Sequence, residues 1–229
     1  MGSTSTAGRG RPARIDQAGI VETSLALLDD VGLEALTMRR VADGLDVRAG
    51  ALYRHFATKQ DLLTAMAERM LAPIAKPPAD APWTEQIKAL ARMMRQALLA
   101  HRDGAKVFGG THSTGPHTLA FAESVLGVLR TAGFRDEDAA RVFLTVVNFV
   151  LGHTLEEQAA AADDAVETEG LRRLRDAVLT GGHPHLAATM RVLTDPDFEA
   201  HFEFGLRLLV EGCAARERSS GGGDRRVGE

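Results

Sequence analysis

Ile20, Val21, Ser24, Leu25, Leu28 and Val31 recur at helical spacing among polar neighbours, and Gly32 follows the last of them. This period predicts an amphipathic helix of about five turns that the glycine terminates. Thr37 is placed to cap a short second helix with Val41, Ala42 and Leu45 inward. Asp46 then falls in a tight turn, and a third helix is expected from about Arg48 to Phe56. Thr58-Lys59-Gln60-Asp61 has the form of a capping box with Asp in place of Glu. It opens a fourth helix through Met70, which Pro73 stops. Four prolines between Leu71 and Trp83 mark a connector.

Beyond the connector, wide apolar stripes start near Trp83, Thr111, Asp136 and Asp195, separated by Gly, Pro, Ser and Asp. The stretch from Thr168 to His185 reads as a weaker helix and loop, and SSGGGDRRVGE as a flexible tail. No run alternates as a strand would, and no repeat is visible. The expectation is an all-α protein: a basic arm (1–13), a small helical head (14–72), a connector (73–82), a larger helical body (83–217) with its last helix at about 196–213, and a tail (218–229).

Composition narrows the class. The 229 residues are 45% hydrophobic and 25% charged, ordinary for a soluble protein with a real core. The single cysteine, Cys213, allows no intrachain disulfide and no cysteine-based metal site, which suits a reducing cytoplasm. No uncharged apolar run approaches the ~20 residues that span a bilayer, and the N-terminus lacks a signal-like core. The net charge of −4 hides a gradient: residues 1–14 carry +3, residues 37–60 carry +3, and the remainder total −10. Cationic charge therefore gathers at the front of the chain, where a polyanion could be met.

The chemistry in RAGALYRHFATKQDLL, Arg48 to Leu63, fits that gradient. Two short helices across a tight turn form the arrangement in which the second enters the major groove by its N-terminus. Ala49, Gly50 and Ala51 keep that end slim. Tyr53 and His55 offer donors to phosphate oxygens, Arg54 has the reach for guanine, and Lys59 opens the next helix, where ammonium and free N–H groups grip the backbone together. Phe56 is read as core; Tyr53, between polar neighbours, is not.

LTMRRVADGLDVRAGALYRHFATKQDLL resembles the DNA-binding domain of the tetracycline-repressor (TetR) family, with its T-R-x-x-A helix, turn, and L-Y-x-H-F-x-x-K segment. The resemblance implies that Thr37 and Arg39 meet phosphate and base from the supporting helix, with Arg48 and Lys59 at the flanks. Ala49, Gly50 and Ala51 replace a Gln-Pro-Thr run, and Arg54 a Trp, so a different operator is implied. Asp46 stands where Gly is usual; Asp tolerates a left-handed backbone better than most residues. Arg11, within the arm of Arg9 to Arg14, has the setting of a minor-groove contact or of a plain basic tail.

The body resembles the same class in HRDGAKVFGGT (His101 to Thr111), NFVLGHTLEEQ (Asn148 to Gln158) and FEFGLRLLVEGC. That likeness implies a homodimer built on the helix around 138–160 and the final helix, with Gly152 at a close approach. It also exposes a difference. A metal-ligating imidazole is replaced by Phe108, an Asn by Leu90 and a His by Asn148, so no metal site and no cofactor are expected. Leu90, Met93, Met94, Phe108, Phe121 and Phe149 are expected to line a more apolar effector pocket, with Thr111, Asn148 and Glu156 as polar anchors. Each apolar member alone is as readily core.

His112, His117, His183 and His185 lack the cysteines or paired carboxylates of a metal site, Ser113 lacks a placed acid, and Gly109-Gly110 lacks the Lys-Ser/Thr of a phosphate loop. The expected function is a cytoplasmic, non-enzymatic, ligand-responsive regulator that is released from a palindromic double-stranded DNA operator. The competing class is a small-molecule-binding or catalytic helical protein without specific DNA binding; a mobility shift on DNA separates them.

Overall fold

A computed structural model describes residues 15–161 and 164–221, with side chains for 15–161 and 169–216. Arg11 and the other arginines of the N-terminal arm lie outside the described residues, as does the tail beyond Gly221. Among the described residues every regular element is a helix: α1 (Gln17–Ala35), α2 (Met38–Gly44), α3 (Ala49–Leu52), α4 (Lys59–Leu71), α5 (Trp83–Leu99), α6 (Gly104–Gly109), α7 (Pro116–Thr131), α8 (Asp136–Ala160), α9 (Asp164–Thr180), α10 (Pro184–Leu193) and α11 (Phe198–Gly221).

Local chemistry accounts for most boundaries. Asp16 caps α1 by accepting from the Gly19 N–H, and the helical path breaks at Gly32, whose φ of 75° suits glycine. Thr37 accepts from the Arg40 N–H to start α2. Both halves of the Thr58/Asp61 capping box are present at α4.

Helix α2 ends in a Schellman motif: the Val47 N–H donates to the Ala42 carbonyl (3.0 Å) and the Asp46 N–H to the Asp43 carbonyl (3.1 Å). Asp46 occupies the left-handed position with φ of 53°, as its place in the turn predicts.

Two expectations about length need correction. The third helix does not run from Arg48 to Phe56. Arg48 is the extended residue before α3, and four residues are helical before turn-type bonds carry the chain to Phe56. The last helix continues past Cys213 to Gly221, since nothing in AARERSSG breaks it earlier. The stretch from Thr168 to His185 holds the end of α9, a turn and the start of α10, and HRDGAKVFGGT contains the short helix α6.

Helix α1 packs on both α2 and α4, α2 packs on α3, and α4 also packs on α5, α6 and α7. Leu28, Leu52, Leu62 and Met66, all fully buried, hold the head together. In the body α8 packs on α5, α6, α7 and α11, using Val142, Val146, Val150 and Thr154 at intervals of four. Helices α9 and α10 pack mainly on each other.

Candidate DNA-binding face and effector site

The head presents its polar residues as a surface. Thr37, Arg39, Arg48, Gly50, Tyr53 and Arg54 are exposed, and Ala49, Ala51 and His55 half-buried. Tyr53 is 52% exposed while Phe56, three residues on, is 6% exposed, so the two aromatics divide between surface and core. Around Gly50 there is open space for 4 Å where a Cβ would project, which leaves the front of α3 clear. Thr37 spends its hydroxyl oxygen on capping α2. Gln17 braces the end of the α3 segment by donating to the His55 carbonyl (3.0 Å).

Lys59 is less free than its place in the sequence implies. It is half-buried, and its Nζ donates to the Leu33 carbonyl at 3.4 Å, at the end of α1. The Leu33 N–H in turn donates to Asp103 Oδ2 (2.9 Å), which Lys106 also engages (2.8 Å). Burial alone would raise the Asp103 carboxyl; the Leu33 N–H and the Lys106 ammonium outweigh it and hold it below the ordinary range. Asp29 adds to this junction by accepting from the Arg102 N–H (2.9 Å) and lying against the His101 ring (3.1 Å). The resulting cleft, about 750 Å³, lies between the end of α1 and the start of α6.

In the body the expected effector residues separate into groups. Leu90 and Met94 of α5 and Phe121 of α7 are buried in the core, with Met93 and Phe108 packed against it. Thr111 is half-buried and donates to the Phe108 carbonyl (3.0 Å). Phe149 turns toward α11, where it stacks on Phe202 with ring centroids 5.4 Å apart and closes on Gly205; a Cβ there would stand 2.7 Å from its ring.

Asn148 and Glu156 do not join the buried set. Both are exposed, because the inward positions of α8 are 142, 146, 150 and 154, and residues two places away from them face outward. The carboxylate that does point inward is its neighbour Glu157. It meets Arg95 of α5 fork to fork (2.9 Å twice), and Arg95 also binds Glu199 of α11 and lies 4.8 Å from the Phe202 ring centroid. The repeated acid in LEEQ left this register open, and the buried Arg95 was the missing signal.

His153 completes this cluster. Its ring sits among Phe149, Phe198 and Phe202, and Nδ1 is buried without a hydrogen-bond partner among the described residues, 3.9 Å from Glu157. Burial, and then the neighbouring Arg95 charge, push its pKa below the ordinary value. Among the described residues no group of three or more His, Cys, Asp and Glu could hold a metal ion. No described helix is long and apolar enough to cross a membrane.

A helix-turn-helix head with an exposed polar face, carried on a helical body, defines a regulator class. Comparison makes the class specific. Residues 20–66 match the family of bacterial regulatory proteins of the tetR type, and residues 76–216 match the tetracyclin repressor-like C-terminal domain. The chain belongs to the TetR family, and it is a ligand-responsive DNA-binding regulator.

It is 37% identical to the class C tetracycline repressor protein of Escherichia coli, over 87% of this chain and 90% of that one. A possible TetR family transcriptional regulator from Streptomyces coelicolor A3(2) superposes with a TM-score of 0.80 at 57% identity, over 87% of this chain and 99% of that one. The Streptomyces coelicolor protein ActR, in complex with actinorhodin, gives 0.81 at 30% identity, over 89% and 97%.

Proposed function

We propose that the chain acts as a cytoplasmic homodimeric repressor, without catalysis of its own, released from a palindromic operator by an apolar or aromatic small molecule. The observation that carries the reading is the division of the head: a slim, cationic, exposed face over a closed core. Such a face suits phosphate and base contact, and two copies with α3 about 34 Å apart would meet successive major-groove turns.

The dimer reading rests on the outer faces of α8 and α11. Leu144, Phe204 and Leu208 are each more than half exposed, in line with Gly152 and Gly212, whose Cβ positions are open. A second copy across this surface would bury the apolar residues. It would also change the environment of Asn148 and Glu156, so these two would serve an effector site only in the dimer. Leu90, Met93, Met94, Phe108, Thr111 and Phe121 would form the part contributed by a single chain. With Phe108 and Leu90 apolar, that part suits an aromatic effector better than a magnesium chelate.

A mobility-shift assay on the DNA upstream of its own gene, followed by titration with aromatic metabolites and with magnesium-tetracycline, tests the reading. A specific shift reversed by an aromatic compound is expected, with Glu156→Gln weakening the response but not the shift. Magnesium-dependent release by low-micromolar tetracycline, roughly 8 kcal/mol of binding, would show the pocket to be misread.

A further inference from the structure

Helix α7 starts without a capping side chain of its own: its N-cap is Gly115, followed by Pro116. The cap comes instead from a neighbouring helix about fifty residues earlier in the sequence. Glu68, on α4, accepts from the His117 N–H (2.5 Å), the Thr118 N–H (3.1 Å), the Thr118 hydroxyl (2.7 Å) and the Ser113 hydroxyl (3.0 Å). A Cβ on Gly115 would stand 2.3 Å from Glu68 Cδ. The backbone there, φ −72° and ψ 164°, is open to any residue, so the glycine answers to the space Glu68 needs and not to conformation.

A second tie comes from the same helix. Gln60, about two turns before Glu68, donates to the Gly110 carbonyl at 2.8 Å. The segment from Gly110 to Thr118 is therefore fastened to α4 at both ends. It includes Thr111, and it follows directly on Phe108 and α6. Helix α4 begins at Lys59, immediately after the DNA-facing segment.

We propose that residues 110–118 form a strap that sets the orientation of α4, and with it the DNA-reading head, against the effector-binding body, with Glu68 as its clasp. The inference rests on the regulator reading above. A ligand that draws Thr111 or Phe108 inward must pull on Gln60 or Glu68. Loss of the clasp removes the acceptor for two backbone N–H groups and leaves the positive end of α7 unopposed. The head then samples more orientations, and that freedom must be given up when DNA is bound.

The test uses the full-length protein and a duplex selected from random DNA by the wild type. Glu68→Ala should weaken binding roughly five- to tenfold with the oligomeric state unchanged, and Glu68→Gln by less, because it keeps one acceptor. Gly115→Ala should weaken binding comparably in the wild type. In the Glu68→Ala background its effect should fall below about twofold, because the clash is gone. Wild-type affinity in Glu68→Ala, or a Gly115→Ala penalty that persists without Glu68, overturns the proposal.

Hydrogen exchange supplies an independent arm. In Glu68→Ala it should quicken along α4 as well as at His117 and Thr118; a change confined to the first turn of α7 makes Glu68 a local cap and overturns the strap. If the wild type selects no DNA sequence, the regulator reading fails, and the exchange along α4 alone decides whether the strap stands.

Discussion

Arg95 and Glu157 face each other fork to fork across α5 and α8, with the guanidinium 8% exposed and the carboxylate 21% exposed. Glu199 adds a second acid from α11, so one arginine ties three helices. Removal of the cation alone strands Glu157 where water is scarce. Arg95→Ala is expected to cost about 3–5 kcal/mol of stability in urea unfolding, and Arg95→Met with Glu157→Leu far less, because the acid then left without its partner, Glu199, is exposed to solvent. Equal losses in the two variants would mean that Arg95 acts by packing on Phe202.

His153 makes the same region sensitive to acid. Its folded-state pKa lies below the ordinary 6.5, so the unfolded chain takes up a proton first as the pH drops. Stability from this residue is therefore complete above about pH 6.5 and declines as the pH falls through the folded value. Arg95, Glu157, Glu199 and His201 are the charged or titratable groups that influence it. His153→Phe should flatten the stability profile between about pH 7 and pH 5, read as urea midpoints, and should raise stability near neutrality because the orphaned Nδ1 is gone. An unaltered acid limb would assign the loss to another group.

Tyr53 and Phe56 should behave oppositely on truncation. Phe56→Ala opens the head core and is expected to cost about 3–5 kcal/mol, whereas Tyr53→Ala should stay within about 0.5 kcal/mol. Operator affinity should fall in Tyr53→Ala with the fold intact, as seen by fluorescence anisotropy beside a thermal melt. A destabilised Tyr53→Ala would return this ring to the core.

Asp46 offers a gain. The left-handed position at the end of α2 favours glycine, and the two Schellman bonds are made by backbone alone. Asp46→Gly should raise stability by up to about 1 kcal/mol, and Asp46→Val, branched at Cβ, should lower it by more than that. Thermal melts of the three proteins rank them, and an Asp46→Gly protein no more stable than the wild type would show that Asp46 earns its place by another contact.

Much of the head was legible because its signals are local. Thr37, Asp46, Thr58 and Asp61 act within three or four residues of themselves, and each does what its position implies. The length of α3 was less legible, since the segment after Leu52 keeps turn-type bonds without continuing the helix. In the body, Leu90, Met94 and Phe121 are interior as their stripes imply. The register of Glu156 and Glu157 was not, because either fits an acid after an apolar run until Arg95 on another helix selects one. Gln60 and Glu68, which act over about fifty residues of sequence, carry no local mark of their partners.

Leu33 is joined to the head through its carbonyl, by Lys59, and to the body through its N–H, by Asp103. Every amino acid but proline supplies both groups. The connection is thus indifferent to mutational drift at position 33 itself, and its vulnerability in evolution lies with the two side chains that reach for it.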